Sequence, residues 1–181
     1  MKKKAKLILI RGNSGSGKTS LAKELQKLYN VESLVISQDI VRREMLSACD
    51  GPDTPAIPLI YHLLEYGHRH YDVTILEGIL FSQWYTPLFE KAFALFDGNI
   101  YGYYYDLPIE ETIARHNTKA VGSEFGELEL RRWWRGTDLL KTISERIFTK
   151  DISLADAVKI VCQDIAENSE NNPPDILNGH R

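Results

Sequence analysis

A chain of 181 residues, 43% of them hydrophobic, is long enough to bury one full core, and a net charge of −3 argues against the broad basic surface that binds a nucleic-acid backbone. No run approaches the roughly 18 apolar residues of a membrane span, and the basic opening Met1–Lys6 precedes too short an apolar stretch for a signal peptide. Cys49 and Cys162 lack paired spacing, which fits reduced thiols and the expectation of a cytoplasmic protein without a membrane anchor.

The first element is an apolar strand over Lys6–Arg11. It runs into Gly12-Asn13-Ser14-Gly15-Ser16-Gly17-Lys18-Thr19, which matches the phosphate-binding loop pattern at every fixed position. Glycines there let backbone N–H groups close around an anion, and the helix that follows offers its positive N-terminal end. Lys18 is placed to bridge outer phosphates, and the Thr19 hydroxyl is a magnesium ligand candidate beside Ser20. Leu21, Leu25 and Leu28 then share one face of a helix.

A second strand over Ser33–Ser37 leads to a helix from Asp39 to Ala48, which Cys49–Asp53 breaks. Asp39, Arg42 and Arg43 fall three and four residues apart and can share a helix face. A carboxylate at a strand's C-terminal end suits a general base, with Arg42 steadying substrate or phosphoryl oxygens. A helix is expected over Ala56–Arg69, and its histidines His62, His68 and His70 read as surface residues. The third strand, Val73–Glu77, puts Glu77 where an acid would order magnesium and its water shell. Asp50, Tyr61, Phe81, Gln83, Trp84 and Tyr85 follow the second and third strands and are expected near the acceptor.

Thr86–Phe96 reads as a further helix, Ile100–Asp106 as the fourth strand, and Pro108 as the first turn of a helix reaching Asn117. Arg115 and Lys119 lie four apart, leading into Ala120–Gly126, the expected lid connection. Arg131 and Arg135 repel at the same spacing unless an anion faces them, either Asp138 or a phosphate. Trp133 and Trp134, with Leu130, read as a packing face. A short strand over Arg146–Thr149 and a helix over Ser153–Glu167, capped by Ser153, close a single domain of residues 1–167; residues 168–181 read as a disordered tail. Alternating strands and helices imply a three-layer α/β fold whose parallel sheet has the order 2-3-1-4-5.

The segments "GNSGSGKTS", "QDIVRREM" and "YYDLPIEETIARHNTK" resemble, in order and spacing, the P-loop kinases that include small-molecule kinases, zeta toxins and phage-type polynucleotide 5′-kinases. "ILEGIL" is similar to the Walker-B segment of uridine kinase and phosphoribulokinase, and the chain as a whole looks like bacterial AAA-family ATPase and zeta-toxin-like sequences. The resemblance implies that Asp39 is the general base and Arg42 the substrate contact. It aligns the lid arginine with Lys119, leaving Arg115 as the arginine that could replace it.

The expected activity is transfer of the γ-phosphoryl group of ATP, with Mg²⁺, to a hydroxyl of a small molecule. ATP is preferred to GTP because the chain contains no Asn-Lys-x-Asp guanine-reading segment. A regulatory P-loop ATPase and a polynucleotide 5′-hydroxyl kinase stay open as alternatives, although a nucleic-acid partner is not expected from the charge. The acceptor and the oligomeric state stay open as well.

Overall fold

The computed structural model describes residues 4–117 and 126–170. Lys119, the expected lid connection apart from Gly126, and the tail beyond Glu170 lie outside the described residues. Five parallel strands, β1 (Lys6–Gly12), β2 (Ser33–Ser37), β3 (Val73–Gly78), β4 (Ile100–Tyr105) and β5 (Glu145–Phe148), pair in the order β2-β3-β1-β4-β5. That is the sheet order expected from the sequence.

Alternation along β1 builds two cores. Leu7 and Leu9 point to one face and pack with Ile60 and Leu64 of α2 (Ala56–His70) and Phe89 of α3 (Ser82–Leu95). Ile8 and Ile10 point to the other and pack with Leu21 and Leu25 of α1 (Lys18–Tyr29) and with Ala157 and Val161. The remaining helices are α4 (Ile109–Asn117), α5 (Glu127–Trp133) and α6 (Leu154–Glu170). The Ser153 hydroxyl accepts the Asp156 N–H at 3.1 Å, so α6 starts at the expected cap, and it runs three residues beyond the expected end. None of the described helices is long and apolar enough to cross a membrane.

Two elements differ from expectation. The helix expected over Asp39–Ala48 is instead a π-helical turn over Ile40–Met45, and Ser47 takes a left-handed backbone (φ 49°). The helix expected from Thr86 begins at Ser82. Pro87 resembles a first-turn proline, but Ser82 is anchored by a residue far along the chain: its N–H donates to Asp138 Oδ2 at 2.8 Å, and its hydroxyl also donates to Asp138.

That anchor belongs to a buried network around Arg11. Its Nε and Nη2 donate to the Leu80 carbonyl at 3.1 and 3.0 Å. Nη2 also reaches Asp138 Oδ2 at 2.6 Å, while Nη1 donates to the Asp138 carbonyl and the Glu145 carboxylate, both at 2.9 Å. All five guanidinium N–H donors are therefore used, and the group lies over the Phe89 and Tyr104 rings. Burial holds the Glu145 carboxyl above its usual range, opposed by Arg11.

Arg11→Met leaves a buried carboxylate without its counter-charge, so it should cost about 3–5 kcal/mol in urea unfolding at neutral pH. Burial then acts on Glu145 unopposed, raising its folded-state pKa further. The folded variant gains protons relative to the unfolded chain as pH falls, so the deficit should shrink toward acid pH. A deficit below 1 kcal/mol, or one that widens in acid, would refute this assignment.

Candidate active site

The loop after β1 takes a shape only glycine allows at its start. Gly12 has φ +139°, and a Cβ there would lie 2.7 Å from the Tyr105 carbonyl oxygen. Gly17, at φ +111°, turns the chain into α1. Lys18 is buried and folds back over the loop, its Nζ donating to the Asn13 carbonyl at 2.8 Å and Ser16 Oγ at 3.4 Å. This holds the ammonium in place over the loop.

The next residue joins the loop to β3. Thr19 Oγ1 donates to Glu77 Oε1 at 3.2 Å, and Glu77 is almost fully buried near the carboxyl end of its strand. A hydroxyl and a carboxylate are hard oxygen donors, the set that suits magnesium. On the other side of the loop, α4 brings in Arg115. Its Nη1 donates to the Ser16 carbonyl at 3.0 Å, and its Nε is held by Glu111 at 2.7 Å. Arg115 therefore lies against the loop.

Ser37 pairs in register with Glu77, so the chain leaving β2 emerges at the same carboxyl edge. Asp39, two residues on, is half exposed; its Oδ1 accepts Arg42 Nη2 at 2.9 Å and faces Arg43 Nε at 3.4 Å. The other arm of Arg42 donates to the Ala48 carbonyl at 3.1 Å. Asp39, Arg42 and Arg43 thus come together on the π turn, on a shorter element than the sequence suggested.

Beside this turn opens a cleft of about 260 Å³, lined by Arg42, Arg43, Asp50, Phe81, Trp84, Trp133 and Arg135, with Cys49 and Ile79. Asp50 accepts the Tyr85 hydroxyl at 2.7 Å and Gln38 Nε2 at 3.1 Å. Burial, helped by the Asp50 hydrogen bond, pushes the Tyr85 phenol up, so it stays a donor. Of the residues expected near the acceptor, Asp50, Phe81 and Trp84 line the cleft and Tyr85 supports it from behind. Gln83 is exposed outside it, and the Tyr61 ring faces Lys91 instead.

The segment after α5 differs most from expectation. Asp138 pairs with Arg11, not with Arg131 or Arg135, and Arg131 pairs with Glu127 at 2.8 Å. Trp133 is a cleft wall with the Arg43 guanidinium 5.8 Å from its ring centroid. Asn13, expected to serve the nucleotide, directs its side chain to Arg135: Nδ2 donates to the Arg135 carbonyl at 2.6 Å, and Oδ1 accepts the Arg135 N–H at 2.9 Å. The Arg135 guanidinium then stacks 5.4 and 5.8 Å from the Phe81 and Trp84 centroids. The sequence reading missed Arg11 as a site organiser; its one signal was a charge at the end of the otherwise apolar run Leu7–Ile10.

No protein-family model and no curated protein sequence matches the chain. Solved structures do resemble it. A gluconokinase from Sinorhizobium meliloti 1021 is 14% identical with a TM-score of 0.68, over 94% of this chain and 97% of that one. The Mycobacterium tuberculosis APS kinase, in complex with AMPPNP and APS, is 17% identical with a TM-score of 0.63, over 92% and 99%. A sugar kinase from Janibacter sp. HTCC2649 is 16% identical with a TM-score of 0.60, over 91% and 97%. With the parallel 2-3-1-4-5 sheet, these similarities place the chain in the P-loop NTPase fold.

If Asn13 anchors the Arg135 backbone, Asn13→Ala should speed amide hydrogen exchange at Arg135 by about 2- to 10-fold, the worth of one net hydrogen bond. Unchanged exchange there would mean the segment is held without Asn13.

Proposed function

We propose that the chain is an ATP-dependent kinase that transfers the γ-phosphoryl group to a hydroxyl of a small molecule, with Asp39 as general base. One observation carries the reading: a phosphate loop with its Thr19–Glu77 pair and a separate cleft lined by aromatic rings and arginines open at the same carboxyl edge of the sheet. A regulatory ATPase has no need of the second cleft. The cleft's small volume and the chain's negative charge count against a polynucleotide strand. The similar structures named as gluconokinase, APS kinase and sugar kinase support the same class.

In the reaction, the acceptor oxygen attacks the γ-phosphorus and the bond from that phosphorus to the β–γ bridging oxygen breaks. ADP leaves, and the acceptor proton passes to the Asp39 carboxylate. Lys18 and Arg115 neutralise charge on the transferred group. Thr19 and Glu77 would hold magnesium, which when bound screens the outer phosphates. Arg42 orients Asp39 through their ion pair and borders the acceptor cleft. Lys119, where the resemblance aligns the lid arginine, is proposed to close over the nucleotide.

The Asp39 and Lys18 variants should separate two roles. Asp39→Asn should leave ATP affinity nearly intact and cut acceptor-dependent turnover by about 10² to 10⁴. A loose transition state would put the effect at the lower end of that span. Lys18→Ala should damage both quantities, because its phosphate contact exists in the ground state and the transition state alike. Calorimetry for ATP and a coupled ADP assay read the two effects, and wild-type turnover in Asp39→Asn would remove Asp39 as base.

A further inference from the structure

We infer that the acceptor is a small hydroxylated anion whose charged group is received by Arg135. This rests on the kinase reading above and names the substrate class of that site. The cleft carries three arginines, Arg42, Arg43 and Arg135, in a chain whose net charge is −3, so its positive character is local. Asp39 pairs with Arg42 and Arg43 at the rim. Asp50, the one carboxylate among the described lining residues, already accepts bonds from Tyr85, Gln38 and the Gly51 N–H. Arg135 has no ion pair among the described residues; its guanidinium meets only the Phe81 and Trp84 rings.

That arrangement is preorganised. The rings support the guanidinium without using its in-plane N–H donors, which stay available for a bidentate anion. The backbone of Arg135 is fixed by two hydrogen bonds to Asn13, a residue of the phosphate loop itself. The anion receiver is therefore built in register with the donor phosphates, as a transfer between two fixed substrates requires. A neutral acceptor would make no ion pair with Arg135, whereas a carboxylate, phosphate or sulfate gains charge-assisted hydrogen bonds there.

The test is an ADP-release panel of matched pairs: glycerol against glycerate, glucose against gluconate, and a nucleoside against its 5′-monophosphate and 5′-sulfate. The anionic member of at least one pair should exceed its neutral partner by tenfold or more in kcat/KM, and the carboxylate, phosphate and sulfate arms identify the group. Arg135→Met should reduce that preference to below threefold, chiefly by raising the KM of the anionic member, with Arg135→Lys recovering part of it. Neutral acceptors turned over as well as or better than their anionic partners would overturn the inference and leave the kinase reading intact. Failure of every member to support ADP release overturns both. If Arg135→Met does not fold, the wild-type panel still decides.

Discussion

A buried guanidinium at the end of the first strand is the constraint from which the site is assembled. Taking an arginine fully out of water is costly, and the cost is offset only when every donor finds an acceptor and the charge finds an opposite one. Arg11 meets both conditions by drawing together three pieces of chain: the Leu80 carbonyl after β3, Asp138 in the segment following α5, and Glu145 at the start of β5. Asp138 in turn starts α3 by receiving Ser82. With Arg11 satisfied, the segment carrying Trp133 and Arg135 meets the segment carrying Phe81 and Trp84, and both line the cleft beside Arg42, Arg43 and Asp50.

The phosphate loop begins one residue later, so the same strand end serves both halves of the site. Lys18 and Thr19 are tied to the loop carbonyl and to Glu77, while Asn13 of the same loop fastens the Arg135 backbone beside the cleft. Movement of the loop on nucleotide binding would reach the cleft through Asn13 without any intermediary element. Such coupling is what a two-substrate transfer needs, since a displacement of about 1 Å between reacting groups can cost 10²-fold in rate.

The sequence made the phosphate loop legible and the second cleft only in part, for a physical reason. Strand alternation, glycine spacing and the Lys18-Thr19 pair are local patterns, so the five strands and the loop could be read along the chain, and crossover rules then supplied the sheet order. The cleft depends on pairings such as Arg11 with Asp138 and Glu145, 127 and 134 residues apart, which leave no periodic trace. Local rules also misled in two places. The sequence puts the start of α3 at Thr86, four residues late, and Trp133, read as part of a packing face, lines the cleft. The helical spacing of Asp39, Arg42 and Arg43 foresaw their meeting, although the turn that brings them together is π-helical and shorter than expected.

The central claim, that one sheet edge joins a phosphate donor to a hydroxyl acceptor, is tested most directly by following the phosphorus atoms. In a ³¹P NMR time course with ATP, Mg²⁺ and an anionic hydroxylated acceptor, loss of the γ-phosphate signal should be matched one for one by a new phosphomonoester signal. Growth of inorganic phosphate in its place, at the same rate with and without acceptor, would show an ATPase and contradict the account.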